Sequence, residues 1–382
     1  MSDEPIYEAA PAPFALRRVG IIVNTPGQVH FYRHIYANLV ARGHHAIILA
    51  RAERETLALL NEFGLPYDIF SRPPTSKMSS IFSLPRNVIN ATNILKRHRV
   101  DIVTGFGVYD AYASALLGIP NLVFIDNEPK IGKRSYEIQF RLFYPFVDHL
   151  ITPSYFKADL GRRHIRIDGL KEFAYLHPHN FQPDDSILKD LSLGQGEKYT
   201  VLRFNGLSAF HDLGVGGFSD DDKERLVQKL EKDSIVLISS EKGVPPALED
   251  RVIQVPKKRI HDVLYHASLL VTDTQTMATE AAILGTPTVR CNSFVGDNDM
   301  GNFIQLEDRY HLLFNIKRPD EAIQKSIDLI KDNNAKEEWT RKRDQLCRDN
   351  IDVSDLMTWC IEHFPKSVAE LQADPNIQER FR

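Results

Sequence analysis

Apolar residues recur along the chain in short runs, and each run is followed by a turn and a longer amphipathic stretch. The strands are apolar throughout rather than alternating, which is typical of a parallel sheet covered by helices on both faces. A doubly wound α/β domain is therefore predicted for the first half. Its predicted strands are 19–24, 45–50, 101–106, 121–126 and 149–152, and its predicted helices are 29–42, 53–63, 109–117 and 135–144.

The same alternation starts again after residue 198, which predicts a second domain of the same kind. Its predicted strands are 199–204, 235–239, 252–255, 269–273, 288–291 and 312–315, and its predicted helices are 220–231, 260–266, 276–284 and a helical end over 319–364. Residues 173–183 contain prolines and little periodicity, which indicates a linker, and 71–85 is predicted to be an irregular loop. The fold class is thus α/β, with two tandem Rossmann-like domains at 18–182 and 183–350.

Composition narrows the class of protein. A chain of 382 residues exceeds what one core usually serves, and a formal charge of −4 provides no broad basic field, so nucleic acid is not expected as a partner. Three widely spaced cysteines indicate neither a disulfide framework nor a zinc site and favour a cytoplasmic location. The acidic start predicts a flexible tail at 1–17 rather than a secretory signal. No segment approaches the roughly 20 apolar residues that span a bilayer.

The loop after the 269–273 strand is the first candidate site, because ligands of open α/β sheets bind beyond the carboxyl ends of the strands. A polar run leads there directly into a helix, whose free backbone N–H groups form a site for a diphosphate. Glu280, one turn later, can accept the hydroxyls of a ribose. The alternative is that Thr274 or Thr276 only caps the helix and that Glu280 is solvated. The predicted nucleotide contacts here are Asp273, Thr274, Gln275, Thr276, Met277 and Glu280.

This loop resembles the nucleotide-sugar loop of GT-B proteins, in particular UDP-N-acetylglucosamine 2-epimerases and the N-acetylglucosaminyltransferase of peptidoglycan synthesis. Gln275 and Thr276 stand where those families have small residues. Over nearly the whole chain, the sequence is similar to a prokaryotic GT-B-like family, domain of unknown function 354, through the stretches GIPNLVFIDNE, AYLHPHNFQPD and TMATEAAILGTPTVRCNSFVG. The residues of the loop that carry the first resemblance are Asp273, Thr274, Glu280, Ala281, Gly285 and Pro287.

The resemblance implies a GT-B architecture with an interdomain cleft. An N-terminal acceptor domain and a C-terminal nucleotide-sugar domain would face each other across it, and the helical segment 351–382 would cross back to the N-terminal domain. The His-Arg-Arg-Glu-Asn run that the epimerases carry after the 199–204 strand is missing, which favours sugar transfer over epimerisation.

Loops after other strands carry the candidate catalytic residues. Gln28 and His30 follow the first strand, and a histidine there is suited to act as a general base, although it can also be a capping or packing residue. Asp126, with Asp110 nearby, is either an acid or base at the cleft or a solvent-facing carboxylate. No Asp-x-Asp motif stands at a strand end, so no metal site is predicted.

Two further regions contribute candidates. Arg203, near the end of the 199–204 strand, is suited to bind a phosphate. In the loop that follows, Asn205, His211 and Asp212 are candidates for phosphate or sugar contacts, and His211 is also a catalytic candidate. Arg290 is predicted to stabilise the departing diphosphate. Residues 130–146 mix basic and aromatic side chains. Such a helix either packs on the core or lies on an anionic membrane as a peripheral contact.

The predicted function is that of a metal-independent GT-B-type glycosyltransferase without a tightly bound cofactor. Its substrate would be a nucleotide diphosphate sugar, with UDP among the candidate carriers, and its acceptor a glycan or a lipid-linked molecule. The alternatives are epimerisation or hydrolysis of the nucleotide sugar, and a non-catalytic sugar-nucleotide binding protein.

Overall fold

The computed structural model describes residues 15–72, 83–129, 134–194, 196–204, 217–240, 243–293, 295–296 and 299–382. Within these residues, two parallel sheets follow each other along the chain, one formed by residues 18–167 and the other by residues 199–316. We call the sheet-and-helix layers around them the N-terminal lobe and the C-terminal lobe. The architecture is α/β with two Rossmann-like domains, as the hydrophobic pattern predicts.

The N-terminal sheet has the strand order β3-β2-β1-β4-β5-β6-β7, and the C-terminal sheet has the order β12-β11-β10-β8-β9. Every recorded strand pair is parallel. The carboxyl ends of the strands of each sheet therefore meet at one edge. The strands are Arg18–Val23 (β1), His45–Arg51 (β2), Tyr67–Ser71 (β3), Ile102–Gly105 (β4), Asn121–Phe124 (β5), His149–Pro153 (β6), His164–Ile167 (β7), Tyr199–Phe204 (β8), Ile235–Ser240 (β9), Leu269–Thr272 (β10), Thr288–Cys291 (β11) and Leu313–Ile316 (β12).

Helices pack on these sheets, and some of them begin or end at a residue whose backbone is suited to a helix terminus. Pro26 starts the first helix at a position where its missing N–H group costs nothing, and Gly118 ends another with a left-handed φ of 65°. The helices are Pro26–Ala41 (α1), Arg54–Glu62 (α2), Ser83–Arg97 (α3), Tyr109–Leu117 (α4), Arg134–Phe143 (α5), Phe173–Leu176 (α6), Ile187–Asp190 (α7), Asp220–Leu230 (α8), Ile260–His266 (α9), Thr276–Ile283 (α10), Gly301–Ile304 (α11), Pro319–Lys331 (α12), Ala335–Asp349 (α13), Val353–Glu362 (α14) and Lys366–Ala373 (α15).

Some predicted elements differ from the observed ones. The strand predicted at 252–255 is absent from the structure, where Val252 makes only an isolated bridge to Ile238. The 71–85 loop was predicted too long, because β3 runs to Ser71 and α3 begins at Ser83, while 73–82 lie outside the described residues. Strands β3 and β7 were missed because both are short edge strands with polar positions, which a search for apolar runs passes over.

The end of the chain packs on the N-terminal lobe. Helix α14 lies against α1, and Glu362 at its end is buried. Its carboxylate accepts a hydrogen bond from Arg42 Nη1 at 2.7 Å and lies 3.0 Å from His44 Nε2. The chain thus passes from the N-terminal lobe to the C-terminal lobe after α6 and returns between α13 and α14.

Helix α5 has two apolar sides. Phe140 and Phe143 are buried in the N-terminal lobe, whereas Ile138 and Leu142 are exposed. Residues 130–133, which supply part of the basic character noted in the sequence, lie outside the described residues, so the peripheral membrane contact stays a prediction. Within the described part of the chain, no helix combines the length and the apolar character that crossing a bilayer requires.

Candidate active site between the two lobes

A polar cavity of about 90 Å³ lies between the lobes, at the carboxyl ends of strands from both sheets. Loops after β5, β6 and β7 form its N-terminal side, and the start of α10 with the segment around α11 forms its C-terminal side. The lining residues among the described ones are Asp126, Asn127, Tyr155, Lys171, Glu172, Gln275, Thr276, Thr279, Met300, Asn302 and Phe303. This is the position at which open α/β sheets bind ligands.

Two carboxyl groups share one lysine on the N-terminal side of the cavity. Lys171 Nζ lies 2.6 Å from Asp126 Oδ2 and 3.4 Å from Glu172 Oε1, and all three side chains are largely buried. Burial alone would lower the pKa of Lys171, but the carboxylates of Asp126 and Glu172 outweigh it and raise that pKa. Burial, reinforced by the charge of Asp126, raises the pKa of Glu172 to about 7, although Lys171 opposes the shift. Glu172 is thus a carboxyl group that can exchange a proton near neutral pH.

The N-terminus of α10 supplies the opposite wall. Gln275 occupies the N-cap position, and its side chain makes no capping hydrogen bond to the helix. The Thr274 hydroxyl instead lies 2.8 Å from the Thr272 hydroxyl, so the interpretation that Thr274 or Thr276 only caps the helix does not hold. Gln275 and Thr276 are exposed at the cavity, where the positive end of the helix dipole favours an anion. Met277, one residue on, is buried.

Glu280 is part of a buried cluster at the contact between the lobes rather than a solvated residue. Its Oε1 atom accepts a hydrogen bond from the Tyr175 hydroxyl at 2.8 Å and lies 3.1 Å from His261 Nε2. Burial would raise the pKa of Glu280, but His261 and the hydrogen bond from Tyr175 outweigh it and lower that pKa. His30 completes the cluster, with its ring centroid 4.6 Å from that of His261 and 5.3 Å from that of Tyr175.

The position of His30 limits its chemistry in this arrangement. The side chain is buried, and burial, with the neighbouring His261, holds its pKa well below the usual value. His30 does not line the cleft cavity. Gln28 lies two residues earlier, where its Oε1 accepts a hydrogen bond from the Asn24 N–H at 2.7 Å. The catalytic roles of His30 and Gln28 stay predictions.

Arg203 and Asp273 come together at the ends of two neighbouring strands. Arg203 pairs with Thr272 in the sheet, and the N–H of Asp273 donates to the Arg203 carbonyl at 3.3 Å. The Arg203 side chain is half-buried and donates to the Ser239 hydroxyl at 3.0 Å. Both residues therefore lie at the edge of the C-terminal sheet that faces the cleft. His211, Asn205 and Asp212 follow Arg203 in the chain and lie outside the described residues.

Arg290 is fully buried and does not line the cavity. Its guanidinium donates to Asp299 at 2.6 and 3.2 Å and to Asn315 at 2.7 Å, and it stacks on the Phe303 ring at 3.6 Å. Because Phe303 lines the cavity, Arg290 supports the cavity wall from behind. In this arrangement Arg290 braces the site, and its contact with a departing diphosphate stays a prediction.

Asp110 does not share the cavity with Asp126. It is fully buried, its Oδ2 accepts the N–H of Gly107 at 3.0 Å, and burial raises its pKa to about 6. It does not line the cavity, whereas Asp126 does. The partner that the sequence suggested for Asp126 is therefore replaced by Lys171.

Sequence reasoning missed Lys171, Glu172, Tyr175 and His261. The first two follow β7 directly, so recognising the four-residue strand His164–Ile167 would have drawn attention to them. Nothing local distinguishes Tyr175 and His261, because their importance comes only from their contact across the lobes.

Three side chains of the types that ligate metal ions lie together on the two chain segments that connect the lobes, which we call the lobe crossings. His177, His179 and Asp352 place one ligand atom each within 4.8 Å of one another. The sequence predicted no metal site: His177 and His179 are neighbours in the chain, but Asp352 is far from them in sequence and joins them only in the fold.

Comparison with solved structures identifies the fold. UDP-GlcNAc 2-epimerase from Neisseria meningitidis, solved with UDP-GlcNAc, matches with a TM-score of 0.62 and 12% identity over 92% of this chain and 100% of that chain. The glycosyltransferase SsfS6 of Streptomyces sp. SF2575, solved with thymidine diphosphate, matches with a TM-score of 0.55 and 13% identity over 89% and 99%. At these identities the likeness shows the fold, which is that of GT-B proteins.

Sequence comparison adds the family. The chain belongs to the family described as "Protein of unknown function (DUF354)", whose model matches residues 18–354. An uncharacterised protein of Methanocaldococcus jannaschii is 28% identical over 188 residues, or 46% of this chain. The match covers 52% of that protein, so the chain spans about half the length of the curated relative. The resemblance to this family that the sequence suggested is confirmed.

Proposed function

We propose that the chain is a GT-B-type enzyme that binds a nucleotide diphosphate sugar in the cleft cavity and transfers its sugar to an acceptor hydroxyl. One observation supports this most. Glu172, a buried carboxyl whose pKa is raised to about 7, faces the same cavity as the N-terminus of α10, whose N-cap residue Gln275 makes no side-chain capping hydrogen bond. The first is a group that moves a proton, and the second is a place for an anion.

The chemistry follows from these two walls. The backbone N–H groups at the start of α10 hold the diphosphate, and Arg203 at the neighbouring strand end adds positive charge as the diphosphate departs. Glu172 accepts the proton of the acceptor hydroxyl, whose oxygen forms the new bond to the anomeric carbon as the bond to the diphosphate breaks. Asp126, which pairs with Lys171 at 2.6 Å, raises the pKa of Glu172 and so makes Glu172 a better acceptor for the proton.

The size of the cavity requires the lobes to move. Pockets that bury a drug-sized ligand have volumes of roughly 300–1,000 Å³, and this cavity measures about 90 Å³. We therefore propose that the lobes separate to admit the nucleotide sugar and close over it. The two structural neighbours were solved with ligands that carry a nucleoside diphosphate, which is the chemistry that the α10 terminus suits.

Epimerisation or hydrolysis is the second candidate, and one observation favours it. Asp126 and Glu172 place two carboxyl groups at one cavity, and paired acids can remove and return a proton on a sugar. The products separate the candidates: transfer gives free nucleoside diphosphate only when an acceptor is added, hydrolysis gives it without one, and epimerisation leaves the nucleotide sugar intact with an inverted centre.

Ligand binding is the first test. Calorimetric titration of the full chain with UDP-GlcNAc and with GDP-, CDP- and dTDP-linked sugars should reveal binding of at least one. The Gln275→Glu variant puts a negative charge at the α10 terminus and should weaken that binding about tenfold or more. Gln228→Glu, an exposed position on α8, is the matched control. Absence of binding to every nucleotide sugar would overturn the proposed function.

Turnover is the second test. Glu172→Gln should bind the nucleotide sugar as the wild type does and lose about 10²- to 10⁴-fold in rate. The matched control is Glu249→Gln, an exposed glutamate in the C-terminal lobe, which should keep the wild-type rate. A Glu172→Gln variant with wild-type turnover would remove Glu172 from the mechanism.

A further inference from the structure

The two chain segments that connect the lobes meet beside one another. The first crossing carries His177 and His179 directly after α6, and the second ends at Asp352, which caps the N-terminus of α14. Asp352 Oδ2 lies 3.8 Å from His177 Nδ1 and 4.0 Å from His179 Nδ1. The side chains of Asp352 and His177 are buried, and that of His179 is 63% exposed.

The two oxygen atoms of Asp352 have different surroundings. Oδ1 accepts the N–H groups of Ser354 and Asp355 and the hydroxyl of Ser354, at 2.7 to 3.2 Å, which occupies it as a helix cap. Oδ2 accepts the Asn180 side-chain amide at 2.8 Å and is the oxygen that faces the two imidazoles. One carboxylate oxygen and two imidazole nitrogens therefore converge from two segments of the chain.

We propose that His177, His179 and Asp352 bind one divalent transition-metal ion, of which Zn²⁺ is the type, and that this ion ties the two lobe crossings together. Bonds of about 2.0–2.1 Å to zinc place ligand atoms roughly 3.4 Å apart in a tetrahedron. The separation of 4.0 Å between His179 and Asp352 closes to that value when the exposed His179 ring turns inward, and the 3.8 Å between the buried His177 and Asp352 needs only a small side-chain adjustment. Two nitrogen ligands favour zinc, cobalt or nickel over Mg²⁺ and Ca²⁺, which prefer oxygen.

The charges around the cluster permit a cation. Asp352 contributes a carboxyl group, and Asp355 and Arg343 are further charged groups that act on His177. Asp355 also binds the Asn38 side-chain amide at 3.1 Å and lies 3.6 Å from Arg42. Arg343 opposes the cation, so the site depends on direct ligation rather than on a general negative field.

The consequence is mechanical rather than catalytic. None of the three ligands lines the cleft cavity, but they lie on the two segments that must bend if the lobes separate. An ion that binds only when the crossings are close together favours the lobe arrangement in which they are close. Metal binding would then stabilise the fold and restrict opening, whether or not the proposed transfer reaction is correct.

The test uses the full chain after treatment with a chelator and titration with Zn²⁺ alone. We expect one Zn²⁺ per chain by calorimetry and elemental analysis, a higher melting temperature with Zn²⁺, and no such effect with Mg²⁺. Co²⁺ in place of Zn²⁺ should give the visible absorption of a site with nitrogen ligands. His179→Asn should weaken Zn²⁺ binding about tenfold or more, since even residues behind a metal ligand contribute that much.

The matched control is His98→Asn. His98 Nε2 lies 3.0 Å from Asp68 Oδ2 on the surface of the N-terminal lobe, so this variant removes another histidine–aspartate contact. It should keep the stoichiometry and affinity of the wild type. Because His179 is exposed, the His179→Asn variant should fold. The proposal is overturned if the wild type binds no stoichiometric Zn²⁺, or if His179→Asn binds it as tightly as the wild type and His98→Asn do.

Discussion

The raised pKa of Glu172 makes a quantitative prediction about stability. Its ordinary value of 4.5 rises to about 7 in the fold, chiefly because the side chain is buried. The folded protein therefore holds this proton more tightly than the unfolded chain does. The favourable contribution is complete below pH 4.5 and is lost as the pH rises through 7, because deprotonation then leaves a charge in a buried place.

The magnitude follows from the shift. At about 1.4 kcal/mol per pKa unit, the raised pKa lowers the free energy of unfolding, relative to its value with Glu172 fully protonated, by roughly 3 kcal/mol at pH 8 and roughly 1 kcal/mol at pH 5. Glu172→Gln removes the titration and keeps the shape. Relative to the wild type, the variant should therefore gain about 2 kcal/mol in free energy of unfolding between pH 5 and pH 8, whatever constant amount it loses with the contact to Lys171.

Urea unfolding at the two pH values measures this difference. Trp339 in the C-terminal lobe and Trp359 on α14 report unfolding by fluorescence, and circular dichroism should give the same transition. For the exposed control Glu249→Gln, the difference in free energy of unfolding from the wild type should be the same at both pH values. If the free energies of unfolding of Glu172→Gln and the wild type differ by the same amount at pH 5 and pH 8, the buried carboxyl does not hold the proton as the structure implies.

Two further changes test the walls of the cavity. Arg290→Met removes the ion-pair partner of the buried Asp299 and should lower the free energy of unfolding by about 3–5 kcal/mol. The control Arg318→Met, on the surface, should lower it by less than about 1 kcal/mol. Equal losses for the two variants in thermal and urea unfolding would refute the bracing role of Arg290. Gly301→Ala places a methyl group 2.7 Å from the ring of Tyr155 across the cleft, so we expect a loss of about 1–3 kcal/mol, and an unchanged melting temperature would show that the lobes do not touch there.

Much of the fold could be predicted because strand formation in a doubly wound domain has a local signature. The apolar runs of β1, β2, β4 and β5 are buried on both faces, so the sequence alone marks them. Edge strands are covered less completely and tolerate polar residues. For that reason β3 and β7 escaped detection, and with β7 the cavity residues Lys171 and Glu172 escaped as well.

The candidate site was predictable only in part. The polar turn before α10 is a local feature, and the sequence placed it correctly at a strand end that faces the other lobe. The sequence also suggested Asp126. It did not show that Glu280 would be enclosed by Tyr175 and His261, or that Arg290 would turn inward to Asp299. An arginine at a strand end carries no local mark of the direction in which its side chain points.

The sequence by itself determined the alternation of strands and helices, the two tandem sheets and the family, because each depends on residues that are neighbours in the chain. Only the tertiary structure decided which polar groups meet. Lys171 faces Gln275 across the cleft, and His177 meets Asp352 at the crossings, because the two sheets bring distant loops together at their carboxyl edges. Burial at those meeting points then sets the pKa values, and burial is a property of the packed molecule.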